Sequence, residues 1–316
     1  MASVILFFVL CFSSWAHTQE VINDRPIIGI VTQEVYKSSK APVNATSQIY
    51  ASYVKFIESS GARVVPIWIR QPKSYYTNLL AKINGVLFPG GGVKLDGSGY
   101  GRTGKIILDI ATQMNDKGDY FPVWGTCLGF ELLTLLVAKK DLRKACLAQD
   151  LPTNLTFTTG FKESRMFREL DRKLENSMKN RDVVIHYHQW CFTTQNFSTS
   201  GLDKYFKILA LNQDSKNMTF VSIIEALHYP YFGVSFHPEK VVFEWPMTKT
   251  HKRIPHSPEA IQVSQYFGNF FVNEARRSNH SFPSKEMEDS VLIYNYNPVF
   301  TGKSRNNPTV QKYFFQ

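Results

Sequence analysis

Residues 121–131 read FPVWGTCLGFE: a short apolar run, then Gly125, a single Cys127 and Gly129, then an amphipathic continuation. An apolar run that stops at glycine and resumes with helical spacing predicts a strand, a tight turn and a helix. A side chain on such a turn projects clear of the backbone, and small neighbours let strand and helix approach each other. Two readings of Cys127 follow from the residues alone. It is either a buried small hydrophobe, or a nucleophile on a strained elbow, where the helix aims free N–H groups at the sulfur and favours thiolate.

Outward from this stretch the N-terminal half alternates β-branched runs with helical patterns. Strands are predicted at 26–32, 63–69 and 85–88. Helices are predicted at 48–60, with Ile49, Tyr53, Phe56 and Ile57 on one face, and at 74–82. A third has Ile106, Ile107, Ile110 and Met114 inward and stops at Gly118; a fourth covers 128–138. This β-α-β-α order predicts an α/β fold, a three-layer sandwich with a mostly parallel central sheet and helices on both faces. The second half is richer in strands, at 183–187, 206–211, 220–226 and 231–236. A helix then opens at Ser257-Pro258-Glu259, where Ser caps and Pro fills the first turn, and runs to about residue 277. A last strand is expected at 291–296. No repeat, low-complexity stretch or linker interrupts the chain, so residues 17–316 read as one domain.

Residues 1–16, MASVILFFVLCFSSWA, have an apolar stretch at 4–12 and small residues before Ala16, the pattern of a cleaved signal peptide. The run is too short to span a bilayer, and no later segment is long and apolar enough to do so. Entry into the secretory route is supported by five N-x-S/T sequons, at Asn44, Asn154, Asn196, Asn217 and Asn279, which predict a glycoprotein. Cleavage removes Cys11 and leaves Cys127, Cys146 and Cys191, an odd number, so at least one thiol has no partner within the chain. Either all three are buried free thiols, or one is a nucleophile in a compartment that tolerates thiols, such as the lysosome. The net charge of +10 is spread along the chain, without basic stripes interleaved with aromatics, so a nucleic-acid partner is not expected. Such a surface attracts small polyanions instead.

A cysteine nucleophile needs a base, and the base needs an orienting acceptor. Phe236-His237-Pro238-Glu239 offers both at the end of a predicted strand. Without Cys127 the same residues would read as a surface turn. Gly90-Gly91-Gly92 closes another strand, where backbone N–H groups can approach a substrate carbonyl and, with the N–H of Leu128, hold an oxyanion. Alone, three glycines are simply a turn. Neither a cofactor nor a metal is expected, since His186 and His188 have no cysteine or carboxylate partners at ligand spacing.

FPGGG, GTCLGFE and FHPEK, in this order and spacing along the chain, resemble the Cys-His-Glu hydrolases of the class I glutamine amidotransferase-like superfamily. The chain beyond residue 16, with FVNEAR in its last helix, resembles the gamma-glutamyl hydrolases. The resemblance implies a flavodoxin-like fold with Cys127 as nucleophile, His237 as general base and acid, and Glu239 orienting His237. It also implies an oxyanion hole from the backbones of Gly91, Gly92 and Leu128. The implied enzyme is a lysosomal or secreted homodimer that trims poly-γ-glutamate from folates. Amidotransferases continue the elbow with Gly-His-Gln, whereas this chain has Gly129-Phe130-Glu131. A carboxylate therefore stands at the glutamine-binding position, which fits a substrate whose γ-amide nitrogen belongs to another glutamate. His186-Tyr187-His188-Gln189-Trp190 lies where such enzymes touch the amino-acid head, implying that His188 positions the γ-glutamyl unit. Read plainly, these are half-buried strand residues. A glutaminase feeding ammonia to a partner, a peptidase of α-linked bonds and a secreted binding protein with an inactive site are the competing functions.

Overall fold

Ile27–Val31 is buried along its whole length, with Ile28 and Ile30 entering one core and Ile27 and Val31 another. A strand whose two faces are both apolar must be covered on both sides. In the computed structural model, which describes residues 22–35, 41–303 and 307–316, that is its position; the expected signal peptide, 1–16, lies outside these residues. The strand belongs to an eight-stranded sheet ordered Arg63–Ile67, Ile27–Val31, Gly85–Phe88, Val123–Thr126, Tyr231–Val234, Thr219–Ala226, Phe206–Gln213 and Thr156–Phe157. The first five run parallel, and the last three pair antiparallel.

Helices Ala51–Glu58 and Pro258–Ala275 cover one face; Lys73–Leu80, Gly99–Asp116 and Leu128–Ala138 cover the other. The three-layer α/β sandwich is therefore the observed fold. Trp124, fully buried, ties the strand before the elbow to Phe271 and Phe267 of the C-terminal helix at ring distances of 5.6 and 6.3 Å. Burying a side chain of this size stabilises by roughly 3 kcal/mol. That helix starts as its sequence requires, with the Ser257 side chain accepting from the Ala260 N–H and Pro258 in the first turn. Among the described residues no helix is long and apolar enough to cross a membrane.

Three elements differ from expectation. The helix expected over 48–60 is shorter, because Ser47–Tyr50 is a strand whose backbone pairs with Gln311–Phe315 and with Gln33–Glu34. The strand expected at 291–296 is instead the end of helix Lys285–Val291 and a 3-10 turn at Ile293–Asn295. Ser284 caps that helix by accepting from the Met287 N–H, and Glu286 and Glu288 suit its first turn. Finally, Lys144–Thr153 forms a ribbon with Val184–Cys191, cross-linked by a Cys146–Cys191 disulfide. The reading of all three cysteines as free thiols is thereby corrected: the ribbon brings Cys146 and Cys191 within bonding distance, and Cys127 is the free cysteine among the described residues.

Candidate active site

Gly85–Phe88, Val123–Thr126 and Tyr231–Val234 are parallel neighbours, so their carboxyl ends open on one edge of the sheet. Pro89-Gly90, Cys127 and, after two further residues, His237 follow them. Cys127 has φ +50° and ψ −105°, a conformation that L-residues avoid and that persists only where the surroundings impose it. The imposing contacts are its N–H donating to the Val234 carbonyl at 2.8 Å and its carbonyl accepting from the Glu131 N–H at 2.9 Å. The turn closes because residue 129 is glycine: a Cβ there would meet the Phe88 carbonyl oxygen at 2.0 Å.

His237 is buried, and its Nδ1 lies 2.7 Å from Glu239 Oε1. A carboxylate only accepts, so Nδ1 carries the proton and Nε2 is left as the basic nitrogen. Gly90 marks where the parts meet. A Cβ at Gly90 would stand 2.6 Å from Tyr53 Oη, 2.7 Å from His237 Cε1 and 3.1 Å from Cys127 Cβ. Cys127 and His237 are thus separated by no more than the sum of the last two distances. Tyr53, read from sequence as a core position, turns its hydroxyl into the site. It accepts the Gly90 N–H at 2.7 Å and sits 3.3 Å from His237 Nδ1.

Burial is the largest influence on both reactive groups. It pushes the Cys127 thiol well above its ordinary value, reinforced by the carboxylates of Glu131 and Glu239; the Leu128 N–H, bonded to the sulfur, and the Lys240 ammonium oppose it. Burial also pulls His237 down, more than Glu239 raises it. The helix end and the Leu128 N–H favour the thiolate expected from the sequence, and burial opposes it.

Gly91, Gly92, Cys127, Leu128, Glu131 and His188 all line one cleft of about 1160 Å³. Glu131 is not a free carboxylate, being paired with Arg143, which also binds Asp141 at 2.6 Å. Burial raises Glu131 to about 7, with Arg143 opposing. His188 is driven down to about 4, first by burial and then by His237, so it stays neutral. Contrary to the expectation from linear spacing, His188 does have cysteine neighbours: Cys146 and Cys191 flank its Nδ1.

Sequence reasoning passed over Tyr53, Arg143 and Lys240. Lys240 directly follows the HPE motif and is only 2% exposed, which is unusual enough for lysine to mark it once burial is known. Its Nζ lies over the rings of Tyr187 and Tyr50 at 5.5 and 5.8 Å. A buried thiol, a base with its orienter, and backbone N–H groups at one strand edge are the parts required for acyl transfer.

The Peptidase C26 family profile matches residues 26–239. The gamma-glutamyl hydrolase of Rattus norvegicus is 42% identical over 304 residues, covering 95% of this chain and 93% of that protein. That of Homo sapiens is 42% identical over 280 residues, covering 88% and 86%. Among solved structures, the acivicin-bound glutaminase domain of Trypanosoma brucei CTPS shares the fold with a TM-score of 0.50 at 15% identity, covering 82% of this chain and 96% of that one.

Proposed function

Since the chain belongs to the Peptidase C26 family, among its gamma-glutamyl hydrolases, we propose that it hydrolyses the γ-glutamyl amide bonds of folyl-poly-γ-glutamates through a thioester on Cys127. The observation that carries this reading is the meeting of Cys127, His237 and Tyr53 around Gly90, with Glu239 holding Nδ1.

Burial disfavours both the thiolate and the imidazolium, so attack is coupled to proton transfer. As Cys127 Sγ bonds to the γ-carbonyl carbon, its proton passes to His237 Nε2 and the carbonyl π pair moves onto oxygen. The N–H groups of Leu128, Gly91 and Gly92 receive that oxyanion. Glu239 stabilises the imidazolium through Nδ1–H. When the C–N bond breaks, Nε2–H protonates the departing amine and leaves a γ-glutamyl thioester. Water then gives a proton to Nε2 and its oxygen to the acyl carbon; return of the proton to sulfur releases the γ-carboxylate and regenerates the thiol. Glu131, with Arg143, and His188 contact the γ-glutamyl head from the cleft wall.

We further read residues 17–316 as one domain released from a signal peptide, acting as a homodimer in the lysosome or outside the cell. Support for a secretory route comes from the sequons. Asn44, Asn217 and Asn279 are exposed, whereas Asn154 and Asn196 are half-buried with carboxamides donating to the Lys179 and Leu142 carbonyls. The timed product ladder from a defined pteroyl-poly-γ-glutamate tests the reaction: shortening by whole glutamates is expected from wild type and none from Cys127→Ala.

A further inference from the structure

Beside the cleft, the ribbon brings together Cys146 from one strand and His188 and Cys191 from the other. All three are buried, at 4, 5 and 4% exposure, and their ligand atoms lie within 4.8 Å of one another. His188 Nδ1 stands 3.6 Å from Cys146 Sγ and 3.4 Å from Cys191 Sγ. A tetrahedral Zn²⁺, with Zn–S near 2.3 Å and Zn–N near 2.1 Å, sets its nitrogen and sulfur ligands about 3.5 Å apart. Both nitrogen-to-sulfur edges of such a site are therefore already built. Only the two sulfurs must separate, to about 3.8 Å, by rotation of side chains whose Cα atoms are 5.9 Å apart.

We propose that Cys146, Cys191 and His188 form a redox-gated metal site, closed to ions as the disulfide and selective for Zn²⁺ once a dithiol or phosphine reductant opens it. Reduction adds two electrons and two protons to the S–S bond and gives two thiols. Zn²⁺ then displaces both protons, leaving two thiolates and a neutral imidazole as ligands. Two thiolates and an imidazole in tetrahedral array suit zinc over the hard cations. The fourth ligand is a water. His188 and Cys191 border a cavity of about 10 Å³, the size of a single water, which Cys127 and Glu131 also line.

The surroundings already contain the outer shell that a zinc histidine needs, a fixed acceptor for its second N–H. His188 Nε2 is 3.0 Å from His186 Nδ1, and His186 Nε2 is 3.2 Å from Thr153 Oγ1. With the disulfide closed, the Trp190 carbonyl, 3.2 Å from His188 Nδ1, accepts the proton there, so the chain of donors runs from Thr153 towards His188. With Nδ1 on the metal the chain reverses: His188 Nε2–H donates to His186, and His186 Nε2–H donates to Thr153 Oγ1. That oxygen has a lone pair to spare beside the one taken by Asn212 Nδ2 at 2.9 Å. Two rings and one hydroxyl change direction without moving. The bound ion, neutralised by its two thiolates, would fix His188 in the cleft wall beside the cavity of Cys127, so oxidation state and zinc together would control the cleft.

The test uses the full chain carrying Cys127→Ala, which removes the one free thiol among the described residues, with Co²⁺ and Zn²⁺ as probes. After phosphine reduction and removal of the reductant, one Co²⁺ per chain is expected. Its spectrum should show thiolate-to-cobalt charge transfer and tetrahedral d–d bands, and Zn²⁺ should displace it stoichiometrically. No such spectrum is expected before reduction. Adding Cys146→Ser should weaken the charge-transfer band, and adding His186→Ala should keep the band while lowering affinity roughly 10- to 100-fold. Binding that is equal before and after reduction, a spectrum indifferent to Cys146→Ser, or no binding by the reduced chain would overturn the proposal. Loss of native circular dichroism on reduction would count against it equally, because the site requires the folded ribbon.

Discussion

Replacing Glu239 by Gln isolates the electrostatic part of the proposed mechanism. The carboxamide keeps an acceptor at Oε1 for His237 Nδ1–H, so ring orientation and fold are retained, while the charge that steadies the imidazolium is lost. Glu239 is fully buried and its carboxylate bears on His237, Tyr53 and Cys127 together. A hydrogen bond to a buried charged group contributes about 1.5–3 kcal/mol. At about 1.4 kcal/mol per decade, kcat should fall roughly 10- to 150-fold. The pH profile adds a sign. His237 must be neutral to accept the thiol proton, so activity rises as pH climbs through its pKa. Glu239 raises that pKa against burial, so Glu239→Gln should move the acid limb of kcat/KM to lower pH. The assay is the product ladder by mass spectrometry across pH, with circular dichroism checking the fold. A kcat within twofold of wild type, or an acid limb displaced upward, would refute the reasoning.

Three further outcomes follow from the same geometry. Arg143→Met strips the buried Glu131 of its cation; because Glu131 titrates near 7 and its pKa would rise further, urea unfolding should show a loss of about 3–5 kcal/mol at pH 8 and a much smaller one at pH 5. Gly90→Ala places a methyl group against Tyr53 and His237, so kcat should drop at least about 100-fold while overpacking costs only about 1–3 kcal/mol, compared by thermal unfolding. Glycosidase treatment with site mapping should find glycans at Asn44, Asn217 and Asn279 and none at Asn154 or Asn196, whose amide nitrogens are already engaged.

The elbow was legible in the sequence because its requirements are local: an apolar strand, glycine where backbones touch, and a helix to follow. The same holds for the Ser257-Pro258 helix start and the strand leading to His237. What escaped were features made by distant pairing. Ser47–Tyr50 reads as helix until Gln311–Phe315 comes alongside, more than 250 residues later in the chain. Lys144–Thr153 interleaves Cys146, Ala148 and Asp150, all buried, with exposed residues and a proline, and only its partner strand makes it a ribbon. Tyr53 satisfies helical periodicity like any core residue. Its catalytic neighbourhood depends on where a hydroxyl points, which spacing does not encode. The electrostatics of Cys127 escaped for a related reason: the helix end is visible in sequence, but the desolvation that pushes the thiol up is a property of the packed fold.

The central claim is that Cys127 carries the acyl group, and intact-mass spectrometry of the rapidly acid-quenched enzyme during turnover of a pteroyl-poly-γ-glutamate tests it most directly. The account predicts a transient acyl adduct that maps to the peptide containing Cys127 and is cleaved by hydroxylamine. Peptide products forming at the wild-type rate from Cys127→Ala, or an adduct mapping to Cys146 or Cys191, would contradict it.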